Sequence, residues 1–308
     1  MSQEQTTTQP AEKEIRGKIS VSYSAGIITF HLLPLLLIWT GATLFDWIVC
    51  FSLYFIRMFF VTAAYHRYFS HRTFRTSRIF QFFLAFMAET SVQRGVLWWA
   101  AHHRSHHKHS DTPQDPHSAK IYGFWYSHIG WIMSRDFDET NFKVIGDFAK
   151  FPEIRWIDKN HFLPPITLGV MVFLLGGLVN GGGTLEGLFT QGWSTLVAGF
   201  FLSTVLLFHG TFSINSLMHK IGRQRYKTGD ESRNSLWLAL VTLGEGWHNN
   251  HHYYQSTVRQ GFFWWEIDIT FYVLKVMSWL GLVWELKGVP HKVKYAHLEN
   301  QNQDLVTH

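Results

Sequence analysis

The chain has 308 residues, of which 46% are hydrophobic and 17% aromatic, and its formal net charge is +5. Its basic residues are not gathered into an arm and no nucleic-acid-binding motif occurs, so nucleic acid is not expected as a partner. The one cysteine, Cys50, excludes an intrachain disulfide and gives no cysteine pattern for zinc or an iron–sulfur cluster. This composition indicates one large domain or a membrane protein with a soluble cap.

The chain begins with a polar arm, residues 1–18, which we expect to be disordered and to lack a cleavable signal peptide. Four later segments are long and apolar enough to span a bilayer, which takes about 20 residues. They are residues 19–45, 47–65, 160–185 and 187–219. We expect two hairpins, one turning near Asp46 and the other through the glycine-rich residues 180–188.

The positions of lysine and arginine predict the orientation in the membrane. Apart from Arg57, each of them lies in the N-terminal arm, in residues 66–160 or after residue 219. The positive-inside rule then predicts that both termini and the long middle loop are cytoplasmic. We expect Arg57 to snorkel, or its helix to project beyond the bilayer.

Two further apolar stretches, residues 80–98 and 262–284, carry charged residues and are predicted to be interfacial helices. The predicted fold is therefore all-α: four transmembrane helices in two hairpins with a cytoplasmic helical cap. Residues 19–286 form the predicted domain, and residues 287–308 form a C-terminal tail.

Nine histidines and one asparagine form four short clusters at or beyond the predicted cytoplasmic ends of the spans. The clusters are His66 and His71; His103, His106 and His107; Asn215 and His219; and His248, His251 and His252. Neutral imidazole is a ligand for transition metals, and nine rings are too many for one ion and about right for two. The clusters therefore predict one composite dimetal site.

The spacing within the clusters supports a shared site. Offsets of i, i+3 and i+4 put each histidine triplet on one helix face, and Asn215 and His219 share a face at i, i+4. His66 and His71 are five residues apart and fit one straight helix less well. A helix end near Ser70 would let both rings turn inward.

Metal-bound histidines usually give their second ring nitrogen to a carboxylate or a carbonyl. The candidates for this role are Glu245, Asp111, Asp115 and Glu89, with Glu245 favoured because it lies three residues before His248. Asn215 is a weak donor, and we interpret it as the holder of a metal-bound water. His31 and His209 lie in apolar spans, where we expect packing or hydrogen-bonding roles.

The order and spacing of these clusters resemble the membrane-bound fatty acyl desaturases of the stearoyl-CoA type, over residues 25–286. The flanking motifs match as well, at residues 99–108, 115–117, 127–131 and 243–247. Asn250 stands where animal members carry tyrosine. Together with residues 229–234, it makes the chain more similar to the bacterial and cyanobacterial branch.

The resemblance implies two Fe²⁺ ions held by the nine histidines, with O2 as co-substrate and two external electrons. It implies a cis double bond between carbons 9 and 10 of a saturated C16–C18 acyl chain, and Asn215 as a catalytic residue. It also implies a bent apolar tunnel with Trp99 and Thr211 near the bend. We expect its closed end to be lined by the first two spans, from residues such as Phe55, Met58, Phe59 and Thr62.

Acyl-CoA is the favoured substrate, and an acyl-lipid is the alternative. Cations available for the phosphates of CoA are Arg104, Lys108, Lys120, Arg135, Lys143 and Lys159. The other expected partners are membrane lipids and a separate electron donor, namely ferredoxin, rubredoxin or a cytochrome b5-like protein with its reductase. The resemblance implies a multi-pass protein of a bacterial inner or cytoplasmic membrane, with a cytoplasmic active site.

Two other functions compete with a desaturase. Membrane di-iron hydroxylases of the alkane or carotenoid type use related histidine clusters, but the Asn215–His219 cluster and the residues before His248 favour the acyl desaturase. A metal transporter would place ionisable residues along a path through the membrane. Here the clusters lie at or beyond the cytoplasmic ends of the predicted spans.

Overall fold

The computed structural model describes residues 17–306, and its fold is helical apart from one two-stranded ribbon. The predicted disorder of residues 1–16 falls outside the described residues. The α-helices are α1 Val21–Leu32, α2 Leu37–Thr40, α3 Leu44–Phe60, α4 Arg78–Glu89, α5 Val96–His109, α6 Ala119–Tyr122, α7 Gly146–Ala149, α8 Pro152–Lys159, α9 Leu163–Asn180, α10 Leu185–Thr195, α11 Ser203–Ser216, α12 Leu236–Val241, α13 His248–Tyr253, α14 Ile269–Trp279 and α15 His291–Val306.

The remaining elements are short. π-Helical turns occupy Val61–Ser70, Tyr126–Gly130 and Leu196–Leu202, and 3₁₀ turns occupy Leu33–Leu36, Trp131–Met133, Arg135–Phe137 and Leu217–His219. Strands β1 (Arg75–Thr76) and β2 (Val283–Trp284) pair antiparallel, which joins the chain after the first histidine cluster to the segment after α14.

Among the described residues, three continuous helices are long and apolar enough to cross a membrane: Leu44–Ser70, Leu163–Asn180 and Leu185–His219. They correspond to three of the four predicted spans. The first predicted span is a shorter apolar stretch, Ser24–Thr40, in which a 3₁₀ turn containing Pro34 separates α1 from α2. Proline lacks a backbone N–H, so it favours such an interruption in the helix.

The first hairpin turns at residues 41–43, just before Asp46. Thr43 caps α3: its hydroxyl accepts from the Asp46 N–H at 3.2 Å, and the Asp46 carboxylate accepts from the Thr43 N–H at 2.8 Å. Asp46 also accepts from the Asn180 amide at 3.0 Å, which ties the two hairpin turns together. The second turn lies between Asn180 and Leu185, as predicted.

Arg57 does not snorkel, so the first of the two alternatives given for it is wrong. Its side chain is fully buried, and its guanidinium donates to Thr204 Oγ at 2.7 Å, to Ser203 Oγ and to the Thr90 carbonyl at 3.3 Å. A buried charge is tolerated only when its donors are satisfied, and the last long helix supplies two of the acceptors.

The stretch 80–98 contains two helices, α4 and α5, separated by a break after Glu89. The Glu89 carboxylate accepts from the Val96 N–H at 3.0 Å and so fixes the start of α5. The stretch 262–284 contains α14, whose first turn is capped by Asp268. In the predicted C-terminal tail, α15 packs on the preceding chain, where the Tyr226 hydroxyl donates to the Lys294 carbonyl at 2.7 Å.

The main hydrophobic core lies beside the histidine clusters. Phe69 from the first π-helical turn, Leu84 from α4, Leu97 from α5 and Ile154 from α8 are all fully buried in it. This core fixes the helices that carry the first two histidine clusters relative to one another.

Candidate metal centre

A π-helical segment explains the five-residue spacing of His66 and His71. Residues 61–70 are wound with i→i+5 hydrogen bonds, and the His71 N–H donates to the His66 carbonyl at 3.2 Å. Residues five apart therefore lie on one face of the helix, and the two ring centroids are 4.9 Å apart. The helix ends at Ser70, as expected from the sequence.

The triplets in α5 and α13 are helical, as predicted, but each triplet is divided between two groups of rings. In both helices the i, i+4 pair joins one group, and the residue at i+3 joins the other. Within each group the candidate ligand nitrogens all lie within 4.8 Å of one another. The five-histidine group is His66, His71, His103, His107 and His251, and the four-histidine group is His106, His219, His248 and His252.

We call the two groups together the nine-histidine centre. Within each group, Nε2 atoms of different rings point toward one another. In the five-histidine group, Nε2 of His103 lies 2.8 Å from that of His71 and 2.9 Å from that of His107. In the four-histidine group, Nε2 of His219 lies 3.1 Å from that of His248. The Asn215–His219 cluster reaches the centre through a 3₁₀ turn, because α11 ends at Ser216.

Four carboxylates lie behind the rings with an oxygen within 3.0 Å of Nδ1, and three of them, Asp111, Asp115 and Asp230, accept a hydrogen bond from it. The pairs are His66 with Glu245 at 2.6 Å, His219 with Asp111 at 2.9 Å, His106 with Asp115 at 3.0 Å and His252 with Asp230 at 2.6 Å. An Nδ1–H that donates to a carboxylate leaves the Nε2 of a neutral ring unprotonated. The three rings that donate in this way therefore direct a lone pair into the centre.

Electrostatics favour neutral rings at three positions that have no carboxylate behind them in the described part of the chain, and an ionised carboxyl group at Glu245. Burial lowers the pKa of His71, His103 and His251 well below the usual range of histidine. Burial opposes ionisation of Glu245, yet His66 and Arg67 hold the pKa of that carboxyl at about 2. Neutral imidazole is the form that binds a metal.

The residues present fit a pair of transition-metal ions. The buried Nε2 of His252 has no hydrogen-bond partner among the described residues 17–306. Convergent unprotonated nitrogens cannot satisfy one another, whereas a cation between them would satisfy the whole group. All-nitrogen donor sets of this kind suit iron, zinc or copper.

The sequence analysis missed Asp230, the carboxylate behind His252. It also wrongly included Glu89 among the carboxylates behind the histidines. Asp230 lies 22 residues before His252 and outside any helical spacing with it. Glu89 was expected behind a histidine, but it caps α5 instead. Asn250 turns away from the rings, and its amide donates to the Gln260 carbonyl at 2.9 Å.

An apolar cavity of about 260 Å³ borders the five-histidine group. Trp99 lies in its wall and stacks on Tyr65 at 5.3 Å and on His103 at 5.0 Å between ring centroids. Thr211 also lies in the wall and accepts from the Gln93 amide at 3.0 Å. The other lining residues are Gly26, Ile27, Phe30, Val92, Arg94, Trp98, His102, His117, Trp131, Ile132, Phe162, Phe208, Phe212 and Asn215.

The first predicted span lines this cavity through Gly26, Ile27 and Phe30, but the four residues suggested for the closed end do not. None of Phe55, Met58, Phe59 and Thr62 contributes to its wall in the described residues, which comes from α1, α5 and α11 instead. Met58 is fully buried in a separate apolar cluster, and the Thr62 hydroxyl lies 2.7 Å from that of Thr270.

Three other histidines form a linear chain, which we call the three-histidine chain. His31 and His209 are joined through Nε2 atoms 3.1 Å apart, and His209 Nδ1 lies 3.0 Å from His128 Nε2. His128 Nδ1 lies 2.8 Å from the Ser216 hydroxyl. The hydrogen-bonding role predicted for His31 and His209 is confirmed.

Comparison with known proteins identifies the family. Residues 42–280 match the family model described as fatty acid desaturase. The chain is 36% identical to the sn-1 stearoyl-lipid 9-desaturase of Anabaena variabilis, over 74% of this chain and 78% of the relative. It is 37% identical to the sn-1 stearoyl-lipid 9-desaturase of Synechocystis sp., over 75% of this chain and 68% of the relative. It is 33% identical to the acyl-CoA C20 Delta5-desaturase of Anemone leveillei, over 82% and 77%. The chain therefore belongs to the fatty acid desaturase family and is an oxidoreductase that desaturates fatty acyl chains.

Proposed function

We propose that this protein inserts a cis double bond between carbons 9 and 10 of a saturated C16–C18 acyl chain, using O2 and two electrons. The observation that carries the proposal is the nine-histidine centre beside an apolar cavity. His103 belongs to both, since its ring is part of the five-histidine group and also lines the cavity. An acyl chain in the cavity would therefore run past the metals.

The nine histidines would hold two iron ions, one in each group. When bound, the two ferrous ions supply the reduction of O2 and the oxidising power that removes two hydrogens from the acyl chain. His219 belongs to the four-histidine group, which has one ligand fewer than the other. Asn215 lies four residues before His219 and would hold a water at the four-histidine group. The four carboxylates fix the rings through Nδ1 and keep Nε2 available.

The cavity residues would position and shield the substrate. Trp99 cannot rotate freely, because Tyr65 and His103 stack on it and the Tyr65 hydroxyl donates to the Arg94 carbonyl at 2.6 Å. A fixed wall selects which methylene faces the centre, and placement errors of about 1 Å are costly. The apolar lining also excludes water from the reacting carbons.

We favour a membrane lipid over acyl-CoA as the acyl carrier. The cavity adjoins a recess lined by Ser22 and Pro165, at the starts of α1 and α9, and by Arg94 and Asp138, which form an ion pair. A mouth between two apolar helices suits an acyl chain that arrives from the bilayer. Two of the three relatives described above are named for stearoyl-lipid, and the third is named for acyl-CoA, so acyl-CoA is the second candidate.

Two of the cations suggested for CoA already have carboxylate partners. Arg104 binds Asp147 at 2.9 Å and backbone carbonyls of the first histidine cluster. Lys120 lies 3.4 Å from Glu231. Their engagement further favours the lipid carrier.

Product analysis tests the function. The iron-loaded protein in lipid nanodiscs, with O2 and a chemical reductant, would receive stearoyl-CoA or a stearoyl glycerolipid, and mass spectrometry after derivatisation would locate the double bond. We expect a bond at carbons 9–10 for C16, C18 and C20 chains alike. A bond that keeps a constant distance from the methyl end would overturn the regiochemistry, and a hydroxylated product would favour the hydroxylase.

The proposed membrane arrangement has four spans, with both termini and the nine-histidine centre in the cytoplasm of a bacterial cell. The absence of Lys and Arg from both hairpin turns supports it. A tag in the turn at residues 181–183 should be labelled from the side opposite to a C-terminal tag. Labelling of both tags from one side would contradict the arrangement.

A further inference from the structure

A strongly basic segment follows the last long helix directly. Residues 220–227 contain four Lys or Arg and no Asp or Glu, and they begin immediately after His219 of the nine-histidine centre. Lys220 and Arg223 are exposed to solvent. Arg225 forms an ion pair with the buried Glu266, so the charge of the surface is attributed to Lys220 and Arg223 alone.

Hydrogen bonds hold this segment over the last histidine helix, α13. The backbone N–H groups of Arg225 and Tyr226 both donate to the Asn249 side chain, at 2.7 and 2.8 Å. Asn249 lies between His248 and His251, two histidines of the centre. The backbone of the basic segment is therefore fixed against the helix that carries His248, His251 and His252.

A recess of about 550 Å³ opens in this basic surface. Arg223 and Arg225 lie on its wall, and Trp247 lies within it next to His248 in the chain. The Trp247 indole N–H donates to the Ile267 carbonyl at 2.8 Å, which fixes the ring. The remaining lining residues are Gly222, Gln224, Asn234, Leu236 and His297. Trp247 of the recess is therefore bonded directly, through the backbone, to His248 of the four-histidine group.

We propose that the basic surface of Lys220 and Arg223, together with the recess that Arg223 lines, is the docking site of an acidic one-electron carrier protein. The inference rests on the proposed function, in which –CH2–CH2– + O2 + 2 e⁻ + 2 H⁺ gives –CH=CH– + 2 H2O. A one-electron carrier delivers the two electrons in two encounters. The one cysteine of the chain cannot bind an iron–sulfur cluster of four thiolates.

Charge complementarity favours an acidic carrier. A surface patch of one sign attracts an oppositely charged protein and raises its association rate, and the effect weakens as salt increases. The wall of the recess also contains an indole, Trp247, and an exposed apolar side chain, Leu236, and protein interfaces combine apolar and charged groups in this way. Anionic lipid would need only the charges.

Direct binding tests the proposal without catalysis. The metal-free full-length protein in phosphatidylcholine nanodiscs would be titrated with an acidic plant-type [2Fe–2S] ferredoxin at several salt concentrations. In the variant K220E/R223E we expect the affinity to fall at least about tenfold and its salt dependence to flatten. The matched control is Lys143→Glu, an exposed cation in the loop that contacts Arg104, which should bind within about twofold of the parent.

Iron uptake and elution volume equal to those of the parent would establish that K220E/R223E is folded. Unchanged ferredoxin affinity in that folded variant would overturn the proposal. So would a variant that loses only its binding to phosphatidylglycerol vesicles, because the charges would then serve the membrane. Desaturation driven by a small chemical reductant tests the proposed function separately, since it needs no carrier.

Discussion

The nine-histidine centre and the three-histidine chain use the same side chain in opposite ways. In the centre, the Nε2 atoms of rings from four chain segments converge, and carboxylates occupy Nδ1 of four of them. In the chain of His31, His209 and His128, the rings meet end to end, and the last one meets a serine hydroxyl. No carboxylate lies behind these three rings in the contacts described for residues 17–306.

The second ring nitrogen marks the difference between the two sites, since within residues 17–306 a carboxylate faces it at four rings of the centre and at none of the three-histidine chain. A carboxylate on Nδ1 fixes the tautomer and raises the basicity of Nε2. A ring whose two nitrogens both face neutral partners can be satisfied by hydrogen bonds alone. The predictions below use this contrast, beginning with the largest expected effect.

Removing a ring from the nine-histidine centre should abolish activity, whereas removing a ring from the three-histidine chain should not. We expect His251→Ala to lose iron and to lower desaturation more than about 100-fold, because a paired site fails when one ligand is removed. His209→Ala should keep two irons per protein. Metal analysis and product yield are the measurements, and full activity in His251→Ala or iron loss in His209→Ala would contradict the contrast.

Asn215 should behave differently from the histidine that follows it. We expect Asn215→Ala to retain iron better than His219→Ala and still to lose most of its activity, because a residue that holds a water contributes less to metal affinity than a ligand does. Iron content and turnover would be measured on the same preparations. Equal iron loss in the two variants would make Asn215 a direct ligand.

The carboxylate at Nδ1 should matter for affinity. We expect Asp230→Asn to weaken metal binding about 10- to 100-fold while leaving the fold intact, since the amide no longer orients the His252 ring as a carboxylate does. The matched control is Glu153→Gln, which removes only a partner of the exposed Arg78. Competition with a chelator gives the affinities, and equal values for both variants would remove the role assigned to Asp230.

Glu89 should affect stability rather than metal binding. Burial raises the pKa of this carboxyl from its ordinary value of 4.5 to about 9. Between these two pH values the folded protein keeps a proton that the unfolded chain releases. Stability contributed by this group is therefore lost as pH rises. We expect Glu89→Gln to raise the melting temperature by a few degrees at pH 8 and hardly at all at pH 5. A shift of the same size at both pH values would contradict the linkage.

Helical spacing was enough to predict part of the site. The triplets in α5 and α13 and the turn after Asn180 are where the sequence indicates, because local periodicity and glycine content determine them. The division of each triplet between two groups depends on how α5 and α13 meet, which no single helix encodes. The π-helical turn at residues 61–70 was also missed, since five-residue spacing is not a pattern that an α-helix produces.

Tertiary partners explain the other differences. Asp230 reaches His252 from a separate loop, and Arg57 is satisfied by hydroxyls of α11, so neither contact has a local signal. The cavity wall likewise depends on α1 of the first predicted span packing near α11, whereas the residues suggested from the second span do not line it.

The buried guanidinium of Arg57 imposes an order on biogenesis. Its hydroxyl partners, Ser203 and Thr204, are synthesised 146 and 147 residues later, so in the proposed membrane arrangement α3 would be inserted before they are made. An arginine near the middle of a lone apolar helix makes insertion less favourable by about 3 kcal/mol. Insertion of the first half of the protein therefore stays unfavourable until the last long helix packs against Arg57. A nascent chain truncated before residue 203 would present that uncovered charge to the quality-control machinery of the membrane.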